Sequence, residues 1–179
     1  MLEALYHRGT RPPALLACPP LDAEGMDAPV LAELAWAAAR EGHASLRFQH
    51  RGRGASQGVA DPARAVDDAR AALAHLAESA GPLAAVAGLR DGCETALAVA
   101  ASAGLRRAVI VAPARPLEAP PGVAVLALLP EVGGGPSREA VAAALGDLGT
   151  AEIVVGADAG FRAGITSTAR RAVAWLRVR

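Results

Sequence analysis

The stretch Val86-Ala87-Gly88-Leu89-Arg90-Asp91-Gly92-Cys93 decides how this chain is read. An apolar run ends at Gly88, and Gly88 and Gly92 enclose three residues at the spacing of the G-x-S-x-G elbow, in which a strand turns sharply into a helix and lifts its central residue out of the turn. Glycines stand there because the turn presses backbone against backbone. The central residue of the pattern is a serine; in this chain it is Arg90, whose guanidinium never deprotonates and cannot attack an electrophilic carbon. The stretch predicts the geometry of a nucleophile-bearing turn without its nucleophile.

Length and composition set the frame around that turn. The 179 residues are 53% hydrophobic and 20% charged, a globular balance that fits a single domain over 1–179 with a sizeable core. All 18 basic residues are arginine and the formal net charge is zero, which with 3% aromatic residues argues against a nucleic-acid surface. The N-terminus has no apolar run behind a basic start, and no apolar stretch approaches the ~20 residues of a membrane helix, so a cytoplasmic protein is expected, without membrane contact. Cys18 and Cys93, the only cysteines, are too few for a disulfide scaffold and read as buried thiols. No metal-binding spacing and no cofactor motif is legible. The glycines 133 to 135 lack the lysine of a phosphate loop and read as a turn.

Short apolar runs alternate with amphipathic ones along the chain. Strands are expected at Leu2 to Tyr6, Ala14 to Cys18, Ala44 to Phe48, Leu83 to Gly88, Arg107 to Ala112, Val123 to Leu129 and Glu152 to Val155. Most are continuously apolar, as strands covered on both faces are. Helices are expected from Asp27-Ala28-Pro29 to Gly42, from Asp61-Pro62 with a stripe of Val66, Ala69, Leu73 and Leu76, from Asp91 to Ala103, from Ser137 to Leu145, and from Thr166 to Val178 with a stripe of Ile165, Ala169, Ala172, Val173 and Leu176. His75 falls on the outer side of the second helix. The alternation predicts an α/β fold with a doubly wound, mostly parallel sheet of about seven strands and right-handed crossovers.

The order of these elements, together with three further motifs, resembles the α/β-hydrolase fold in its small, lidless, dienelactone-hydrolase-like form. The run from Phe48 to Gly58 is similar to that family's F-x-x-R-G-x-G-x-S-x-G loop. Cys18-Pro19-Pro20-Leu21 resembles the loop that supplies an oxyanion-hole amide, and Gly156-Ala157-Asp158-Ala159 resembles the G-x-D-H segment that carries the catalytic histidine. The resemblance implies backbone amides of Leu21 and Asp91 as the oxyanion hole, and a triad in the order serine, acid, histidine. Those positions are Arg90, Gly133 and Ala159, so the resemblance implies a degenerate triad. Glu131 is a nearby carboxylate in a different register. The four histidines, at 7, 43, 50 and 75, all precede the elbow, so a histidine-based triad in the family order cannot be assembled.

Three functions follow as expectations. The leading one is a catalytically inactive homologue, a pseudoenzyme serving as a protein-binding or assembly subunit, with a protein partner or a second copy of itself. The alternative is a module that binds a small anion in the former pocket through Arg90, with Arg51 and Arg53 as further ligand candidates; a structural role, tying loop to loop, is the competing reading of Arg51 and Arg53. The second alternative is a hydrolase with a mechanism of its own around Asp91, one residue past the apex, or Cys93, in the first helical turn where the dipole favours a thiolate. Arg90 itself is expected to pair with an acid at the same end of the sheet, among Asp22, Asp91, Glu131 and Asp158, because an unpaired cation in a crevice is costly to desolvate. Its backbone is expected to relax from the strained elbow conformation.

Overall fold

The computed structural model describes residues 1–177. Seven strands form one sheet in the order β1-β3-β2-β4-β5-β6-β7, with β1 Ala4–His7, β2 Arg11–Cys18, β3 His43–Phe48, β4 Ala84–Leu89, β5 Arg107–Val111, β6 Ala124–Val132 and β7 Gly149–Asp158. Only β1 runs antiparallel to its neighbour; every other pair is parallel. Five helices cover the faces: α1 Pro29–Arg40, α2 Ala65–Ala80, α3 Gly92–Ser102, α4 Arg138–Leu145 and α5 Ile165–Arg177. Among the described residues no helix is long and apolar enough to cross a membrane.

The continuous apolar runs are explained by this double covering. In β4, Val86 points into a core shared with α2, α3 and α4. Its neighbours Ala85, Ala87 and Leu89 point into a second core shared with α1 and α5. The inner strands β2 to β6 thus bury both faces, and each fully buried valine or leucine contributes about 1.5–3 kcal/mol. The expected stripes largely face these cores: Ala69 and Leu76 of α2 are buried, with Val66 and Leu73 partly so, and Ala169, Ala172, Val173 and Leu176 of α5 are buried, whereas Ile165, at the first position of α5, is only half-buried and lies in neither core. His75 is exposed, as its position on α2 implied.

Several boundaries differ from the sequence reading. The first helix begins at Pro29 with Ala28 before it and no side-chain cap; Asp27 instead closes a short 3₁₀ turn, and its carboxylate takes a bond from Arg47 Nη1 at 3.2 Å. Asp61 does cap, accepting from the Ala63 N–H at 3.0 Å, but it caps a 3₁₀ turn that precedes α2. Leu83 lies outside β4 and is largely exposed. β6 and β7 run longer than their apolar cores suggested because they pair with each other from Val125 and Gly149 onward, and pairing extends a strand past its hydrophobic stretch. Val178, the expected end of the last helix, lies outside the described residues.

Candidate functional site

The elbow forms at the end of the central strand. β4 stops at Leu89, Arg90 follows with φ of 54°, and α3 begins at Gly92. A Cβ on Gly88 would stand 2.6 Å from Cys93 Cα, and one on Gly92 would stand 2.5 Å from Pro19 O, so neither glycine tolerates a side chain where it sits. The expected relaxation of Arg90 does not occur. Its N–H donates to Val111 O at 2.9 Å and its C=O accepts from the Cys93 N–H at 3.1 Å, which hold the residue in the left-handed region against a strain of about 1–3 kcal/mol.

The three positions that the resemblance assigns to nucleophile, acid and base are brought together. Arg90, Gly133 and Ala159 line one cavity of about 350 Å³, with Ala112, Pro113, Leu129 and the glycine turn completing its wall. Gly133, at φ of 126°, packs directly on Ala159: a Cβ there would lie 3.0 Å from Ala159 Cα and nearer still to its Cβ. Glu131 points elsewhere, its Oε2 accepting from the Gly156 N–H at 2.8 Å between the ends of β6 and β7. Asp158 accepts from the N–H groups of Arg162 and Ala163 at 2.7 and 3.2 Å and shapes the turn into α5.

Arg90 finds its counter-charge on the loop after β2. Nη2 lies 2.7 Å from Asp22 Oδ2 and 2.6 Å from Glu24 Oε2. Of the four acids expected to partner it, Asp22 does; Asp91, Glu131 and Asp158 are engaged in other bonds. Glu24 was missed, because a loop carboxylate two residues past Asp22 has no periodicity to place it. Arg162, from the β7–α5 loop, adds a 3.2 Å bond to Glu24 Oε1, and the hydrogen bond from Arg90 followed by that from Arg162 holds the Glu24 carboxyl below its ordinary pKa despite partial burial. Arg90 Nε is buried without an acceptor among the described residues.

Leu21 and Asp91, the expected oxyanion-hole pair, do meet, but not as two free amides. The Leu21 N–H donates to the Asp91 Oδ1 carboxylate at 3.0 Å. Both thiols are buried: Cys93 Sγ lies 3.3 Å from Gly88 O and 3.4 Å from Val111 O, and burial pushes its pKa far up. Cys18 is pushed by burial to about 12. Neither is a thiolate at neutral pH.

Arg51 and Arg53 tie loops. Arg51 grips Asp68 of α2 through Nε at 2.8 Å, Nη2 at 2.7 Å and its own N–H at 3.0 Å, and Arg53 Nη1 reaches Asp22 O at 3.2 Å. Asp68, with a side chain only 3% exposed, was not foreseen. Its place beside Ala69, on the edge of the α2 apolar stripe, was the available signal. Burial pushes its carboxyl up, but the bonds from Arg51 outweigh that and hold it below the usual range. His50 completes the cluster, Nδ1 3.4 Å from Asp68 Oδ2 and its ring edge-on to Phe48; burial lowers its pKa in spite of the carboxylate.

No family model matches the chain, and neither does any curated protein. Solved structures do. An α/β serine hydrolase homologue from Coxiella burnetii superposes with a TM-score of 0.83 at 20% identity, covering 98% of this chain and 91% of the other. A lidless member of the α/β serine hydrolases from Xanthomonas campestris gives 0.74 at 22% identity, covering 99% and 96%. A protein of unknown function from Agrobacterium tumefaciens, provisionally assigned to the α/β hydrolases, gives 0.82 at 21% identity, covering 98% and 89%. With its seven-stranded, mostly parallel sheet and flanking helices, this chain has the fold of the lidless α/β hydrolases.

Proposed function

We propose that this chain is a catalytically inactive protein of the α/β-hydrolase fold that works by binding another protein. The observation that carries this reading is the composition of the cavity where Arg90, Gly133 and Ala159 meet: three positions that would hold a nucleophile, an acid and a base hold a cation, no side chain and a methyl group. Acyl transfer needs a nucleophile beside a general base. The bond from Leu21 N–H to Asp91 supports the reading, since a carboxylate already sits on an amide that would stabilise a developing oxyanion, and negative charge there opposes the transition state. Large apolar side chains left in solvent, Trp36 on α1 and Ile153 and Val155 on β7, support a protein partner.

The hydrolase reading around Asp91 or Cys93 is weakened by the same contacts, because one carboxylate is held by Leu21 and the thiol is buried and protonated. The anion-binding reading rests on the open cavity beside Arg90. Against it, the guanidinium already carries two carboxylates, so an added anion would compete with groups held in place by the chain.

The test is a panel of activated esters and thioesters incubated with the purified protein. Turnover indistinguishable from buffer is expected; hydrolysis that disappears in Asp91→Asn or Cys93→Ala would replace this reading with an enzymatic one. A rise in melting temperature with phosphate or small carboxylates, absent in Arg90→Gln, would favour the anion module.

A further inference from the structure

The two edges of the sheet are unequal. β1 is four residues long, whereas β7 runs for ten and pairs with β6 on one side only, with no strand on its other side among the described residues. An open edge is a row of unpaired backbone donors and acceptors, and proteins that must stay apart blunt such edges with proline, basic residues or unpaired inward charges. From Gly149 to Val155 none of these is present. The single charge is Glu152, and Arg171 of α5 neutralises it at 2.6 Å.

The faces of β7 differ as well. Glu152 and Val154 turn toward α5, whereas Ala151 turns toward α4, which carries Val141 and Leu145 into the same core. α4 spans only Arg138–Leu145, and the residues that follow Ala151 on its face are left in solvent, Ile153 at 43% and Val155 at 70% exposure. The strand bends at Gly156, where φ is 80°, and its pairing with β6 shifts register before resuming at Asp158.

We propose that β7 is a homodimerisation edge: two copies pair their β7 strands antiparallel about a two-fold axis at Ile153, fusing their sheets into one. The register follows from charge and shape. An axis at Glu152 sets two carboxylates opposite each other, an axis at Ala151 or earlier leaves Val155 with no residue of the partner strand opposite it, and an axis at Val154 or beyond sets Glu152 or its neighbours against the bend at Gly156. With the axis at Ile153, that side chain meets its own copy, Val155 faces the partner's Ala151, and Glu152 faces the partner's Val154. The result is a continuous apolar stripe beside α4 with no like charges opposed. An isologous contact of this kind needs only one self-complementary surface. The inference rests on the protein-binding reading above and names the partner as a second copy of the chain.

The test is light scattering on the full chain across concentration, with two charge variants. The wild type is expected at twice its 18.0 kDa. Ile153→Asp and Ile153→Lys each place like charges on the axis and should raise the dissociation constant by about 100-fold or more, leaving folded monomers. Mixed in equal amounts, the two variants should return to the dimeric mass, which a misfolded strand would not do. A wild type that stays monomeric, a dimer that survives Ile153→Asp, a mixture that stays monomeric, or a dimer dissociated by Trp36→Ala instead would each overturn the proposal. Ester hydrolysis by the intact dimer would sink the inactive reading and leave the dimer standing, so the two fail separately.

Discussion

The amide of Leu21 and the carboxylate of Asp91 are joined by a 3.0 Å hydrogen bond that bridges the loop after β2 to the residue just past the elbow apex. It fastens two loops that, in an enzyme of this fold, stand on either side of a substrate oxygen. The carboxylate also lies at the N-terminal end of α3, where the helix dipole favours negative charge. Asp91→Ala should therefore lower stability by about 1 kcal/mol, as loss of a partly exposed charge-assisted bond does, and should leave ester hydrolysis at the buffer rate. Chemical denaturation and the ester panel read the two outcomes.

Arg90→Ser should not create an esterase. A serine at the apex has no histidine at position 159 to take its proton, and keeps it. Adding Ala159→His and Gly133→Asp should not rescue it either, because a side chain at 133 runs into residue 159 and must also adopt a φ of 126°. The triple variant is expected to lose at least about 1–3 kcal/mol instead of gaining activity. Measurable turnover by the single variant would reveal a base in an unexpected place.

Arg90→Gly and Arg90→Ala both remove the contacts to Asp22 and Glu24, which are partly solvated and contribute about 1 kcal/mol or less. Only alanine keeps a Cβ in the left-handed region. Arg90→Gly should therefore be the more stable of the pair by about 1 kcal/mol, close to 2–4 °C in melting temperature for a domain of this size. Equal melting temperatures would mean that the turn carries no strain.

Stability should fall on mild acidification through His50. Its folded pKa lies below the ordinary value near 6.5, so the unfolded chain binds the proton more readily; the contribution is complete above about pH 6.5 and is lost as pH falls toward the folded value. His7 is shifted the same way by burial and then by Arg47. His50→Gln with His7→Gln should flatten the melting temperature between about pH 6.5 and 5. Asp68 acts lower: its depressed pKa gives stability present above about 3.9 and lost below it. Asp68→Ala should cost about 2–3 kcal/mol at neutral pH, less than the roughly 3–5 kcal/mol of a fully buried pair because Arg51 stays in touch with water.

Cys18 and Cys93 should resist thiol reagents in the native protein and both react once it is unfolded. Labelling with a chromogenic disulfide under native and denaturing conditions tests this. Fast native labelling at Cys93 would reopen the thiol as a chemical group.

The spacing of Gly88 and Gly92, the seven apolar runs and the amphipathic stripes were enough to determine the elbow and the doubly wound sheet, because each is a local pattern whose consequence is carried along the backbone; that residues 90, 133 and 159 share one site was implied only by the resemblance to the α/β-hydrolase fold. Loop chemistry was beyond that reading. That Arg90 turns to Glu24, that Asp91 occupies the Leu21 amide, and that Asp68 is buried under Arg51 are contacts between segments separated by 66, 70 and 17 residues. Loops have no periodicity to announce which way a side chain faces, so the tertiary structure alone decided those partners, by placing strand ends side by side and leaving each charge to the nearest group able to satisfy it.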